Sequence, residues 1–158
     1  MPNWTRWLGL SAIVIALDQL TKYWVTSRFQ LGDSVTITSF FNLVLAYNTG
    51  AAFSFLADAG GWQRIFFTAI ATIASIVIVM LLRRPQNNRL FNFALALILG
   101  GAIGNLIDRV LLGHVVDFIQ VHASGYFWPA FNIADSAITI GAALLIWDSF
   151  SKPATAQI

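Results

Sequence analysis

The chain has 158 residues, of which 58% are hydrophobic and only 10% are charged, and its mean hydropathy is +0.72. A soluble domain carries about 25% charged residues, so this composition excludes an ordinary soluble protein and a disordered one. The formal net charge is +2, and no basic run with interleaved aromatic residues is present, which argues against nucleic-acid binding. The absence of Cys excludes disulfides, a thiolate nucleophile and a Cys-ligated metal site.

Four apolar stretches predict four transmembrane helices, because a spanning helix needs about 20 mostly apolar residues. We expect these helices at about residues 4–26, 64–82, 90–112 and 132–150. The first stretch could be mistaken for a signal peptide. However, Asp18 and Lys22 interrupt its far end and no small-residue cleavage site follows, so we interpret it as an uncleaved helix.

The segments on either side of the two central helices predict a small β-sheet. Residues 33–47 place apolar side chains at alternate positions, which is typical of half-buried strands, and a turn follows at Asn48. We expect the β region to cover about residues 33–56 and 113–121. The whole chain, 1–158, is thus predicted to be a single, mostly α integral membrane domain with a small extracytoplasmic β-sheet.

The distribution of Lys and Arg predicts the orientation in the membrane. Five of these residues lie on the side that carries both termini, and three lie on the other side. We therefore expect both termini to be cytoplasmic and the sheet to lie on the outer bilayer surface.

Polar residues from separate parts of the chain are predicted to lie at one depth, just below the outer surface. Charged groups inside a membrane are costly, and they are therefore candidates for a functional site. The set comprises Asp18, Lys22, Asn48, Gly50, Asn105, Asp108, Arg109, Asp117, Asn132 and Asp135.

Some of these residues also have purely structural interpretations. Asp18 and Lys22 are four positions apart, so their role could simply be to form an ion pair on one helix face. Asn132 could cap the last helix, with Asp135 as the acid of a capping box. Both interpretations remain open at the level of sequence.

The third helix offers a similar choice. Asn105, Asp108 and Arg109 share one helix face, and Arg109 could be oriented by its neighbours or could extend to the membrane interface. Two glycines four positions apart in this helix favour close helix packing. Gly101, between them, could instead let a substrate or a loop approach the backbone.

Asp117 and Asp135 are the candidate chemical groups. Two close carboxyls share one proton, since both cannot ionise cheaply. The ionised carboxyl can then take a proton from water while the protonated one polarises a peptide carbonyl. His114 and His122 lack the spacing of metal ligands, and no Ser-nucleophile motif is present, so we expect no metal.

Two other functions are compatible with intramembrane charges. A small transporter or proton conductor should place polar groups along a path across the bilayer, whereas the cytoplasmic half of this bundle is predicted to be almost wholly apolar. A membrane scaffold would use the polar cluster only to hold helices together, and substitutions of Asp117 or Asp135 would then impair accumulation.

Five segments within about residues 8–148 resemble, in order, the lipoprotein signal peptidases of bacteria, also called signal peptidase II. They are Asp18–Lys22 (DQLTK), Tyr47–Phe53 (YNTGAAF), Gly100–Arg109 (GGAIGNLIDR), Gly113–Phe118 (GHVVDF) and Phe131–Asp135 (FNIAD). Each segment alone is a weak signal, but five in order are highly specific.

The resemblance implies an intramembrane aspartic endopeptidase of the bacterial cytoplasmic (inner) membrane. Such an enzyme removes the signal peptide of a prolipoprotein just before a diacylglyceryl-modified cysteine, needs no metal or organic cofactor, and is inhibited by the cyclic peptide globomycin. The resemblance implies that Asp117 and Asp135 are catalytic, and that the remaining members of the polar set, with Gly101, contact substrate or support the pair. We expect a monomer.

Overall fold

The computed structural model describes residues 3–50, 61–85 and 88–151. Its elements are α1 (Asn3–Thr26), β1 (Ser34–Thr38), β2 (Phe41–Asn48), α2 (Trp62–Arg83), α3 (Arg89–Leu111), β3 (Val115–Ala123), β4 (Tyr126–Phe127) and α4 (Ile133–Ser151). The predicted mostly helical fold with a small sheet is confirmed. The predicted β residues 51–56, and positions 51–53 of the second family segment, lie outside the described residues.

Within the described residues, three helices are long and apolar enough to cross a membrane, namely α2, α3 and α4. The fourth predicted span, α1, has 24 residues but carries Asp18 and Lys22 in its second half. These charges lower its mean hydropathy, so a membrane crossing by α1 stays a prediction. The organisation of the chain as a single domain also stays a prediction.

Helix α3 lies at the centre of the bundle, where it packs against α1, α2 and α4. Glycines let the neighbours approach its backbone closely: a Cβ at Gly104 would lie 2.7 Å from Asp18 Oδ2, and one at Gly101 would overlap the carbonyl oxygen of Ala134. Gly101 therefore faces the start of α4. This contact corrects the idea that a substrate or loop approaches the backbone there, and it gives Gly101 a packing role beside Asp135.

The four strands form one antiparallel sheet in the order β1-β2-β3-β4. The pairing of β2 with β3 shifts register between Leu43 and Ala46, so the alternation predicted for residues 33–47 is interrupted there. Leu45 is only 2% exposed, whereas Tyr47 is 43% exposed. Leu45 lies within the bulge, whereas Tyr47 lies past it.

The sheet is fixed to the bundle by a small apolar core. Val25 at the end of α1 packs with Leu45 of β2 and with Val116 and Phe118 of β3. Because side chains alternate along a strand, Asp117 then points to the other face of β3. That face lies against the start of α4, where the candidate site forms.

Candidate active site

The two candidate catalytic carboxyls come from different elements and are joined by two asparagine side chains. Asp117 lies in β3 and is 2% exposed, whereas Asp135 is half-buried in the first turn of α4. Asn132 Nδ2 donates to Asp117 Oδ1 at 2.7 Å and to Asn105 Oδ1 at 3.2 Å. Asn105 Nδ2 in turn donates to Asp135 Oδ1 at 2.7 Å. The four residues therefore form one continuous hydrogen-bonded chain.

The local sequence N-x-x-D fixes the start of α4. The Asp135 amide donates to Asn132 Oδ1 at 2.8 Å, and the Asn132 amide donates to Asp135 Oδ2 at 3.3 Å. This reciprocal pair is a capping box, so the structural interpretation of these two residues is correct. It is compatible with a chemical role, because the cap holds the Asp135 carboxyl in one orientation while Asn105 contacts its other oxygen.

A buried ion-pair cluster lies beneath the two carboxyls. Lys22 Nζ is 2.7 Å from Asp18 Oδ2 and 2.8 Å from Asp108 Oδ2, and all three side chains are at most 4% exposed. The same ammonium donates to Asn105 Oδ1 at 3.0 Å. The ion pair considered for Asp18 and Lys22 is therefore present. It also includes Asp108 of α3, and through Asn105 it contacts the hydrogen-bonded chain between Asp117 and Asp135.

The two aspartates of this cluster also hold the backbone next to each candidate catalytic residue. The Ala134 amide donates to Asp18 Oδ1 at 2.9 Å, and the Val116 amide donates to Asp108 Oδ2 at 3.1 Å. These amides belong to the residues directly before Asp135 and Asp117. The ion-pair cluster thus fixes α4 and β3 relative to each other at the positions where the two carboxyls project.

The environment of Asp117 favours its protonated form. Burial, followed by the negative charge of Asp135, raises the pKa of Asp117 to about 7. Hydrogen bonds from Asn48 and Asn132 and the charge of Lys22 act in the opposite direction but do not cancel these effects. A proton is therefore retained at this carboxyl at pH values where an exposed aspartate is fully ionised.

The segment after β2 completes the rim of the site. Asn48 Nδ2 donates to Asp117 Oδ2 at 3.2 Å, and the Gly50 amide donates to Asn48 Oδ1 at 3.0 Å. Arg109 donates through an Nη to the Gly50 carbonyl at 3.1 Å. The Nε of Arg109 is buried and has no hydrogen-bond partner among the described residues. Arg109 is therefore held against the segment that carries Gly50.

A cavity of about 710 Å³ opens beside Asp135. It lies between α2 and α4, with α3 at its base, and its walls are mainly apolar: Phe67, Ala71, Ala74, Ile98, Ala102 and Ile138 contribute to them. Asn48, Asn105, Arg109 and Asp135 line its end nearest the sheet. Asp117 does not line the cavity, but it is one hydrogen bond behind Asn48.

Comparisons with known proteins agree with this arrangement. The model of the Signal peptidase (SPase) II family matches residues 10–151. This chain belongs to the signal peptidase II family. The lipoprotein signal peptidase of Janthinobacterium sp. (strain Marseille) is 60% identical over 92% of this chain and 88% of its own length. That of Ralstonia nicotianae (strain ATCC BAA-1114 / GMI1000) is 62% identical over 92% of this chain and 84% of its own length.

Two solved structures of bacterial membrane enzymes share the fold. One has a TM-score of 0.83 and 38% identity, covering 92% of this chain and 88% of its own. The other has a TM-score of 0.81 and 36% identity, covering 94% of this chain and 95% of its own. The signal peptidase II family assignment from sequence is thus confirmed, and the match extends over both the helices and the sheet.

The structure brings nearly all of the predicted site residues of this signal peptidase II chain into one connected set. Sequence reasoning missed Gln19, whose Nε2 donates to Asp108 Oδ1 at 2.9 Å and to the Gly104 carbonyl at 3.2 Å. The only feature of the sequence that could have indicated Gln19 as a site residue is its position next to Asp18. The α2 residues that line the cavity were also missed, because an unbroken apolar run does not distinguish a cavity wall from a lipid-facing surface.

Proposed function

We propose that this chain is an aspartic endopeptidase that removes the signal peptide from bacterial prolipoproteins, cutting on the N-terminal side of a diacylglyceryl-modified cysteine. The names of its relatives support this substrate class. The observation that carries the mechanism is the hydrogen-bonded chain from Asp117 to Asp135, whose Asp135 end opens into an apolar cavity.

The cavity fits the chemistry of such a substrate. A signal peptide contributes a short apolar segment, and the acyl chains on the cysteine are equally apolar. A cleft between α2 and α4 can receive this material from the bilayer, since both helices are long and apolar enough to span it. The reacting carbonyl would then lie at the polar end, near Asp135 and close enough to the surface for water to enter.

The proposed reaction uses one shared proton. The ionised Asp135 accepts a proton from a water molecule while the oxygen of that water attacks the scissile carbonyl carbon. The proton of Asp117 passes to the carbonyl oxygen, which gives a neutral tetrahedral diol. Collapse breaks the C–N bond: the proton held by Asp135 passes to the departing nitrogen, and Asp117 takes a proton from a hydroxyl of the diol. This leaves a carboxyl on the signal peptide and an amine on the cysteine, and it returns the pair to its starting state.

The remaining site residues receive supporting roles in this proposal. Asn105 and Asn132 orient the two carboxyls, and Arg109 offers its buried Nε–H to the substrate backbone. Asn48 and Gly50 form the rim against which the substrate chain lies. Asp18, Lys22, Asp108 and Gly101 position the elements that carry the pair.

The same proposal includes the wider setting. We infer that α1 is a fourth transmembrane helix, because its exposed side chains include Ile13, Leu17 and Leu20, and that both termini face the cytoplasm. We further infer that the enzyme acts as a monomer without a metal or organic cofactor, and that globomycin occupies the cavity beside Asp135.

A proton conductor is less well supported. The half of the bundle farther from the sheet is predicted to be almost wholly apolar, and Ser11, Asn92 and Asp148 are the buried polar side chains there that could form a path. However, the Ser11 hydroxyl donates to the Ala96 carbonyl and the Asp148 carboxylate accepts from Asn88. These contacts cap or join helices, and among the described residues they do not form a titratable path from the site.

Cleavage should depend on pH in a defined direction. Because the pKa of Asp117 is raised to about 7, the pair loses its shared proton as pH rises through that value. We expect the turnover rate to fall above about pH 7, and to fall again in acid as Asp135 becomes protonated. Turnover of a diacylated proprotein in detergent, measured from about pH 5 to about pH 9, checks this. A rate that is constant across pH 7 contradicts the proposed role of Asp117.

Filling the cavity should block substrate entry. Ala74 lines the cavity, whereas its neighbour Ile73 is 62% exposed on the lipid side of α2. Ala74→Trp is expected to lower kcat/KM about tenfold or more, since forcing a large side chain into a filled space costs about 1–3 kcal/mol. Ile73→Trp is the matched control and should leave kcat/KM unchanged. Equal losses in both variants would place the substrate elsewhere.

A further inference from the structure

We propose that the end of the bundle opposite the sheet binds the headgroup of an anionic phospholipid. The site is formed by four exposed arginines: Arg6 at the start of α1, Arg83 and Arg84 at the end of α2, and Arg89 at the start of α3. This binding site is separate from the cavity and from the two candidate catalytic carboxyls, so it does not depend on the proposed peptidase function.

Tryptophan rings position two of these guanidinium groups. The Cζ atom of Arg6 lies 4.7 Å from the ring centre of Trp7, and that of Arg83 lies 5.6 Å from the ring centre of Trp4. The second contact joins the end of α2 to the start of α1. Stacking leaves the edge N–H groups of each guanidinium free to bind an anion.

The charges of the four arginines are not neutralised within the described part of the chain. The salt bridges there involve only Lys22 with Asp18 and Asp108. The one described acid at this end, Asp148, is 7% exposed and accepts hydrogen bonds from Asn88 at 2.7 and 2.9 Å. Four positive charges on three neighbouring helix ends are therefore available to bind an external anion.

The surroundings favour a lipid over a soluble anion. Trp147 and Phe150, at the same end in α4, are 68% and 85% exposed. A Trp ring lies at the headgroup level of a bilayer, and the apolar ring of Phe150 is a surface that acyl chains can cover. A phosphodiester matches the planar donor array of arginine, so a headgroup bound across α1, α2 and α3 would satisfy the charges while its acyl chains cover the rings.

A lipid-binding measurement on the full chain in detergent tests the proposal without using peptidase activity. Phosphatidylglycerol and phosphatidylcholine with the same acyl chains compete for the protein, and bound lipid is counted by native mass spectrometry. Wild type should prefer phosphatidylglycerol. Each basic residue near a membrane surface contributes about fivefold in affinity for anionic lipid, so the double variant Arg83→Gln/Arg84→Gln should lose about 25-fold of this preference.

The matched control is Arg28→Gln. Arg28 is also exposed and lies over Trp24 at 5.1 Å, but it lies past the end of α1 nearest the sheet, away from the cluster. It should keep the wild-type preference, and an unfolding temperature equal to that of wild type in all variants shows that they fold. An equal loss in Arg28→Gln overturns the proposal. So does displacement of phosphatidylglycerol by inorganic phosphate at an equal concentration, because the site would then bind free phosphate.

Discussion

Asp117→Asn is expected to lower the rate of cleavage severely in a protein that still folds. The side chain is 2% exposed and accepts hydrogen bonds from Asn132 and Asn48. An amide of the same shape cannot release a proton to the scissile carbonyl. The turnover rate should therefore fall by about 10²- to 10⁴-fold, the usual contribution of a general acid or base. Asp135→Asn should give the same loss, because it removes the group that accepts the proton of water.

The free energy of unfolding of the Asp117→Asn variant should show that it loses activity because a reacting group is missing and not because the fold is damaged. The pKa of Asp117 is raised from 3.8 to about 7 in the folded protein. The resulting stabilisation is fully present below about pH 4 and is lost as pH rises through about 7, because the folded state holds a proton that the unfolded state has released. An amide does not ionise, so the variant should resist unfolding at least as well as wild type at about pH 8.

Asp148→Asn is the matched control for both measurements. Asp148 is also a buried aspartate that accepts from an asparagine side chain, but it lies at the other end of the bundle. Its substitution should leave the turnover rate unchanged. Near-normal turnover by Asp117→Asn would contradict the proposed aspartic mechanism. A failure of Asp117→Asn to accumulate, with Asp148→Asn unaffected, would instead favour a scaffold.

Features that depend on local sequence could be predicted well. The apolar runs gave the positions of α2, α3 and α4, since hydropathy over 20 residues decides membrane insertion. The spacing of Asn132 and Asp135 predicted a capping box, because this motif needs only four consecutive residues. The five family segments predicted which polar residues meet, through a resemblance that covers most of the chain.

The individual bonds between distant segments could not be predicted. The bond from the Ala134 amide to Asp18 joins residues 116 positions apart, and no local pattern indicates it. The contact of Lys22 with Asp108 has the same origin. The cavity arises from the way α2 packs on α3 and stands away from α4, whereas its wall residues, such as Ala74, look like any others in an apolar helix.

Lys22→Met is expected to be the most destabilising single substitution in the site. It leaves Asp18 and Asp108 as buried carboxylates without the ammonium that contacts both at 2.7 and 2.8 Å. Breaking a buried ion pair by removing one partner costs about 3–5 kcal/mol. The free energy of unfolding in mixed micelles should fall by about this amount, whereas Arg28→Gln, which removes an exposed cation, should change it by less than about 0.5 kcal/mol.

A triple variant separates the charge of this cluster from its geometry. In Lys22→Met/Asp18→Asn/Asp108→Asn no buried charge remains, but each amide oxygen can still accept from the backbone of Ala134 or Val116. Replacing all members of a buried ion pair is less costly than removing one. If the cluster acts by holding β3 and α4 in place, the triple variant should be more stable than Lys22→Met and should recover part of its cleavage rate. Recovered stability without any recovery of cleavage would mean that the Lys22 charge itself acts on the two carboxyls.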